Sequence, residues 1–271
     1  MKKPRVLISV FIFALLSLQV YSQTDDSKTG DQIELDLILK KCAEYCEKLN
    51  NSVLDFICME KITEEIHKGS PGLMLGIELN SYIYDYQFIR GGESIHEKRN
   101  LIRENGLKKN IVDTQLKTKR FRHKHVIFGP IGLLSEKQQE IHDYQIVDER
   151  NYKKEKVVIL EALPKFPEIS NTLYGKIWIR KKDFRILKIE WKQESLENIE
   201  AVDEIAKKWN SKPIITFISE YAFEKNEIRF PSRYSVDELY LLPNGIKHHR
   251  SKLTVIYDDY KFFTVDTKVK Y

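Results

Sequence analysis

The chain has 271 residues, of which 31% are charged and 42% are hydrophobic, and its formal net charge is +5. Three of the positive charges, on Lys2, Lys3 and Arg5, precede the first apolar run, so the rest of the chain carries only +2. A charge this small gives no reason to expect a nucleic-acid partner. The length suits one large β-rich domain, which we place at residues 31–271.

The N-terminal stretch, residues 1–22, has the features of an export signal. A basic start is followed by an uncharged apolar run at residues 6–20 and by Ser22 at the predicted cleavage point. This run is shorter than the roughly 20 residues that a membrane-spanning helix needs, so we predict cleavage, with a retained anchor as the alternative. We expect a periplasmic or secreted protein that is not integral to the membrane, with a disordered polar segment at residues 23–30.

Residues 31–49 follow the periodicity of an amphipathic helix. Its apolar positions recur at spacings of four and three, which places them on one face. They are Leu35, Leu39, Cys42, Cys46 and Leu49. A stripe of this kind is buried against another element, and we expect that element to be a sheet.

The three cysteines, Cys42, Cys46 and Cys58, are the candidates for a disulfide in an exported protein. Cys42 and Cys46 lie one helical turn apart, where Cβ atoms are about 5–6 Å from each other, and a disulfide needs about 3.5–4.5 Å. We therefore predict a disulfide between Cys46 and Cys58 with Cys42 as a buried thiol. Three unpaired thiols are the alternative.

Most of the remaining chain alternates apolar and polar residues at the period of a β-strand. Strands are predicted at residues 56–66, 80–90, 93–104, 144–149, 155–163, 213–224, 228–242, 246–257 and 261–270. Helices are predicted at residues 135–141 and 194–210, and a turn at Asp258 and Asp259 separates the last two strands. Short turns between successive strands favour an antiparallel sheet, so the predicted fold class is α+β and mainly β.

Residues 173–193 form the most informative stretch, a predicted hairpin that is apolar on both faces. An even-numbered loop places Trp178 opposite Leu187 and Tyr174 opposite Trp191. One face then carries Tyr174, Trp178, Leu187, Ile189 and Trp191. Because an antiparallel hairpin usually has one solvated face, we expect other parts of the protein to cover both faces here.

Catalytic and cofactor motifs are missing from the sequence. It contains no phosphate-binding glycine loop, nucleophile elbow or His-Glu-x-x-His pattern, so we predict neither an enzyme nor a cofactor; a secreted hydrolase would require a polar triad. His123 and His125 alternate on one face and could hold a metal, but a solvated loop is the alternative. The basic run 117–125 is either a solvated face or a site for an anionic partner. His248 and His249 are expected on opposite faces of a strand.

The element order and the hairpin motif resemble the periplasmic lipoprotein-sorting family of LolA-like, LolB-like and LppX-like carriers. Gly175, Trp178, Asp183, Leu187 and Ile189 match the motif, which is a glycine, a tryptophan between two hydrophobic residues, a charged turn and an alternating return strand. The resemblance implies a curved antiparallel half-barrel, closed by helices, around an apolar cavity for acyl chains.

From the pattern and the resemblance, we predict a carrier of lipid or lipoprotein acyl chains that transports its ligand toward the outer membrane, with an inner- or outer-membrane protein as partner. The alternative is a non-enzymatic interaction module with the same fold and a filled interior. Aromatic and aliphatic residues on the strands are the predicted cavity lining. They are Tyr82, Tyr84, Tyr86, Trp178, Leu187, Ile189, Trp191 and Phe217.

Overall fold

A computed structural model describes residues 30–51, 55–91, 94–166, 173–195 and 200–263. The predicted export signal, residues 1–22, and the predicted disordered segment up to residue 29 lie outside this part of the chain. Among the helices that the structure describes, none has both the length and the hydropathy of a membrane span.

Four α-helices are described, and the first is the long amphipathic one that the sequence predicts. They are α1 (Gly30–Asn51), α2 (Ile131–Leu134), α3 (Glu136–Ile141) and α4 (Glu200–Lys208). The buried face of α1 consists of Leu35, Ile38, Cys42, Tyr45, Cys46 and Leu49. This face contacts α2, α3 and the sheet, so the predicted apolar stripe is buried, except that Leu39 is only partly buried.

Thirteen strands are described, and eleven of them form one antiparallel sheet. The first six are β1 (Asp55–Ser70), β2 (Leu73–Gly91), β3 (Ser94–Glu104), β4 (Leu107–Ile111), β5 (His142–Tyr152) and β6 (Glu155–Pro164). The others are β7 (Gly175–Arg180), β8 (Ile186–Trp191), β9 (Lys212–Glu220), β10 (Phe223–Lys225), β11 (Ile228–Phe230), β12 (Arg233–Leu241) and β13 (Lys247–Phe263).

The order across the sheet is β4-β3-β2-β1-β13-β12-β9-β8-β7-β6-β5, while β10 and β11 form a separate hairpin. Since β4 and β5 are the two ends of this order, the sheet is open and not closed into a barrel. One face, the inner face, packs against α1 and the segments between strands, and the opposite one is the outer face. The predicted class, mainly β with a large antiparallel sheet and an N-terminal helix, is confirmed.

The register of the β7–β8 hairpin differs from the predicted one. Gly175 pairs with Trp191, Ile177 with Ile189 and Trp178 with Lys188, and a β-bulge follows. Leu187 is the extra residue of the bulge, and an extra residue reverses the alternation of faces. Apolar side chains are buried on both faces of the hairpin, but their grouping on each face differs from the predicted one.

The predicted turn at Asp258 and Asp259 is wrong. β13 continues through both residues to Phe263, and a register shift against β1 absorbs one extra residue there. Asp259 has φ 54°, a left-handed conformation that Asp adopts more readily than most residues. The turn was predicted because two adjacent aspartates are typical of a turn, whereas here they lie at a bulge within a strand. The predicted strand beyond residue 263 lies outside the described residues.

Candidate functional site: the inner face and the segment that covers it

Three of the predicted lining residues, Tyr82, Tyr84 and Tyr86, lie side by side on the inner face of β2 and are buried. In the antiparallel ladder, Tyr84 pairs with Glu60 of β1 and Tyr82 lies two residues along. Every second residue of β1 points to the same face, which adds Glu64 to it. The tyrosines therefore line a surface that also contains two buried carboxylates.

Glu60 is the centre of a buried ionic cluster. Arg99 donates two hydrogen bonds to its carboxylate, at 2.7 and 3.1 Å, and His123 Nε2 lies 2.8 Å from Glu60 Oε1. Burial raises the pKa of Glu60, but the charges and hydrogen bonds of His123 and Arg99 outweigh it and lower the pKa to about 2. Glu60 is thus held as a carboxylate at every physiological pH.

Residues 112–125 cross the inner face, and we call this segment the strap. All of its residues are described, and none belongs to a helix or strand. The backbone amides of Lys119 and Arg120 donate to Glu64 Oε1 at 2.8 and 2.9 Å. The Lys117 amide donates to the Tyr84 hydroxyl at 3.3 Å. Buried groups of the sheet therefore satisfy the backbone of the strap.

A third buried carboxylate, Glu238 of β12, holds the next part of the strap. Arg120 forms a two-point ion pair with it. Tyr240 and Ser251 also donate to Glu238, at 2.7 and 2.6 Å. All of these groups pair within the protein, as buried charges require.

The predicted lining residue Phe217 is covered by the strap as well. The ring of Phe121 packs edge-on against it, with 5.5 Å between the ring centroids. In the next segment, Gly129 lies against Ile189, Trp191 and the hydroxyl of Tyr221, so closely that a Cβ at this position would clash with that hydroxyl. Ile189, Trp191 and Phe217 are therefore on the inner face, and other parts of the chain pack on them.

Trp178 and Leu187 do not belong to this surface. Both lie on the outer face in a separate small core. Lys188 Nζ lies 3.6 Å from the centroid of the Trp178 ring and covers it. The bulge at Leu187 explains the error, because the predicted register lacked the extra residue that reverses the faces.

The basic run 117–125 is not simply a solvated loop. Thr118 and His123 are buried, and Arg120 points to Glu238, while Lys119 and His125 are exposed. The structure also separates the two histidines that were a candidate metal pair. His123 contacts Glu60, and the backbone amide of His125 donates to Glu97 at 2.8 Å.

The predicted disulfide is absent, since all three cysteines lie among the described residues and all are free and buried. Cys46 Sγ lies 3.4 Å from the carbonyl oxygen of Pro130, before α2. Cys58 lies beside Tyr260 on the inner face of the sheet. Burial raises the pKa of the Cys46 thiol to about 12, and it raises the pKa of Cys42 and Cys58 as well, which disfavours the thiolate form that reacts.

The carboxylates that organise the site, Glu60, Glu64 and Glu238, were not predicted. A signal for two of them exists in β1, because Glu60 and Glu64 occupy the same alternating positions as Phe56 and Ile62. A charged residue on an otherwise apolar strand face must find a buried partner. The partners were hidden because they lie 39 residues away at Arg99 and 63 residues away at His123.

An open groove of about 500 Å³ lies at the bulge between β1 and β13. Its lining residues are Ile57, Cys58, Met59, Asp85, Asp259, Tyr260 and Lys261. Most of them belong to the outer face, and three are charged. None of the predicted lining residues borders this groove.

Comparison with known proteins gives only distant structural likenesses. No family model and no curated protein matches the sequence. A solved DUF1329 family protein from Desulfovibrio piger is 11% identical, with 86% of this chain and 95% of that chain covered and a TM-score of 0.35. A putative outer membrane lipoprotein-sorting protein domain from Vibrio parahaemolyticus is 9% identical (86% and 93% covered, TM-score 0.37).

A LolA superfamily protein from Nitrosomonas europaea is 14% identical, with 85% of this chain and 94% of that chain covered and a TM-score of 0.33. Scores this low establish no activity, substrate or partner.

Proposed function

We propose that the protein is an exported, non-enzymatic binding protein of the lipoprotein-sorting type, which meets a partner protein through its surface while its interior is filled by its own chain. The observation that supports this proposal is the strap. It occupies the surface that a ligand would need, and Glu60, Glu64 and Glu238 all bond to it.

A ligand that displaced the strap would break buried ion pairs of the inner face. Each buried methylene of an acyl chain contributes about 0.8 kcal/mol. Removing one partner of a buried ion pair costs about 3–5 kcal/mol. If a ligand displaced the strap, Glu60 would lose His123 and Glu238 would lose Arg120. About ten methylene groups would be needed to offset these two losses.

A second candidate function, carriage of an acyl chain, is favoured by one feature of the strap. Residues 112–125 contain no helix or strand, so they can leave the sheet without breaking a backbone ladder. The ligand would then contact the predicted lining residues of the inner face. These are Tyr82, Tyr84, Tyr86, Ile189, Trp191 and Phe217.

The periplasm is the proposed location, on the evidence of the basic and apolar N-terminus. The proposed partner is a protein of the inner or outer membrane. Nucleic acid is not proposed, because the charge beyond the N-terminus is only +2.

Fatty-acid titration combined with hydrogen exchange distinguishes the two candidates. The mature chain is titrated with a fluorescent fatty acid while exchange of the Lys119 and Arg120 amides, which donate to Glu64, is followed. A filled interior predicts no saturable uptake and slow exchange that the fatty acid leaves unchanged. Uptake of one fatty acid per chain, with loss of protection at these two amides, would refute the filled interior and support the carrier.

Arg120→Ala and Arg122→Ala serve as a matched pair in the same experiment. Arg120 holds the strap through Glu238, whereas Arg122 is exposed in the same segment. We expect faster amide exchange in the Arg120 variant only. Equal exchange in the two variants would show that the contact with Glu238 does not hold the strap.

A further inference from the structure

On the outer face, strands β1, β12 and β13 bring together four polar side chains that the sequence keeps far apart. Glu65 and His67 point outward from β1 because their neighbours, Glu64 and Ile66, point inward. His249 joins them from β13, where a register shift against β12 interrupts the alternation. Asp237 of β12 lies behind His249.

The atoms of this cluster converge on one point. His67 Nε2 lies 2.6 Å from Glu65 Oε1 and 3.0 Å from His249 Nδ1. One potential ligand atom from each of Glu65, His67 and His249 lies within 4.8 Å of those of the other two residues. On the far side of its ring, His249 Nε2 lies 2.5 Å from Asp237 Oδ1.

Hydrogen bonds alone do not satisfy this arrangement. If His249 donates its Nε2–H to Asp237, its Nδ1 has only a lone pair, and so does the carboxylate oxygen of Glu65. His67 Nε2 can carry one proton, which both lone pairs must then share. If instead His249 carries two protons, its Nδ1–H donates to the lone pair of His67 Nε2. His67 Nε2 then has no proton to donate, so no proton lies between it and the Glu65 oxygen. Either way, one contact lacks a full hydrogen bond.

We propose that Glu65, His67 and His249 form a zinc-binding site. Two imidazole nitrogens and one carboxylate oxygen are a ligand set that zinc uses, with water or an external group in the fourth position. A bound cation would also resolve the proton shortage, because all three atoms could then present lone pairs to it.

Asp237 strengthens the assignment because it contacts the ring nitrogen of His249 that would not bind the metal. A metal-ligating histidine typically donates its second ring N–H to a carboxylate, which fixes the tautomer and the ring orientation. The contact from His249 Nε2 to Asp237 Oδ1 provides this arrangement and leaves Nδ1 free for the metal. The protein therefore contains both the ligands and the group that orients one of them.

Two of the three separations between the ligand atoms require only a small adjustment. In a tetrahedral site with bonds of about 2.0–2.1 Å, neighbouring ligand atoms are about 3.3 Å apart. The present separations of 2.6 and 3.0 Å would each widen by less than 1 Å. Glu65, His67 and His249 are all partly exposed, so zinc can enter from solvent and the side chains can move apart.

Calorimetric titration of the metal-free mature chain with zinc chloride tests the site. We expect one zinc ion per chain and at least a 100-fold loss of affinity in His67→Ala and in His249→Ala. Asp237→Asn should weaken binding about 10–100-fold, since loss of an outer partner has an effect of this size. His248→Ala is the matched control, because this neighbouring histidine packs on Trp209 instead and should leave the affinity unchanged.

Two further measurements protect the test from misfolding and from binding elsewhere. Circular dichroism checks each variant, and Glu65→Gln replaces any histidine variant that fails to fold. Cobalt substituted for zinc should give visible absorption without thiolate charge-transfer bands, because the three cysteines are buried elsewhere. No saturable binding by the wild type, equal binding by the His67 and His248 variants, or thiolate bands would each overturn the proposal.

Discussion

The two halves of the inner face pack against the rest of the chain through different interactions, ionic contacts in one half and apolar contacts in the other. On β1 and β12, the face carries Glu60, Glu64 and Glu238, which bond to the strap and to Arg99. On β6, β7 and β8 it is aliphatic and packs in one continuous core with α1 and with the segment around α2.

This difference separates two kinds of structural specificity. Apolar packing has no preferred direction, so the aliphatic half can accept side chains of similar volume in slightly different positions. The ionic half requires each partner at its own place, because an unpaired buried charge is costly. Polar contacts therefore place the strap, together with the packing of Phe121 on Phe217, whereas a continuous apolar surface places α1.

The largest effect should come from removing the central carboxylate of the ionic half. Glu60→Ala removes the carboxylate from buried His123 and leaves Arg99 with its longer contact to Glu97, at 3.6 Å, and we expect a loss of about 3–5 kcal/mol in the free energy of unfolding. Urea denaturation measures it. Lys61→Ala is the control on the same strand, because it removes only an exposed ion pair with Asp258 and should cost about 1 kcal/mol or less. Similar losses in the two variants would contradict the ionic description.

A cavity created in the aliphatic half should lower the free energy of unfolding. Ile177 is fully buried on the inner face of β7, and Ile177→Ala should cost about 2–5 kcal/mol in urea denaturation. Ile77→Ala, at a half-exposed position of β2, is the matched control and should change stability little. A small loss at Ile177 would mean that this half is loosely packed.

The two halves should also differ in their response to acid. Because the pKa of Glu60 is lowered from 4.5 to about 2 in the folded protein, its stabilisation is complete above about pH 4.5 and is lost as the pH falls toward 2. The stability difference between the wild type and Glu60→Gln should therefore shrink over this range. The difference between the wild type and Ile177→Ala should stay constant, and parallel curves for both pairs would refute the pKa argument.

The smallest effect, no change at all, is expected from reducing agents. Since Cys42, Cys46 and Cys58 are free thiols, dithiothreitol should leave the thermal midpoint unchanged. A thiol reagent should label three cysteines after unfolding, and much more slowly before it, because burial raises their pKa values. A lower midpoint under reduction would restore the predicted disulfide.

The parts of the fold that depend on local patterns could be predicted from the sequence. The apolar stripe of α1 and the alternation of β2 place Leu35, Cys42 and Tyr84 correctly, because a helix face or strand face is set by neighbours within a few residues. The bulge at Leu187 could not be predicted in the same way. It depends on pairing across the hairpin, and one extra residue reverses a face without changing the pattern of residue types.

The polar groups of both faces were missed for a related reason. Glu60 and Arg99 are 39 residues apart, and His67 and His249 are 182 apart. Only the strand order brings each pair together, and sequence spacing carries no trace of it. The strap was misread because its lysines and arginines suggest solvent exposure, whereas the carboxylates that bury part of it belong to other elements.

The pairing of β1 with β13 has a consequence for how the chain folds. This ladder, in which Asp55 lies opposite Phe263, is in the middle of the sheet. β1 can therefore complete its pairing only when β13 is available. Contacts between such distant parts of a chain form slowly. If the chain is exported from its N-terminus, as we propose, β1 can pair with β13 only after β13 has emerged from the membrane.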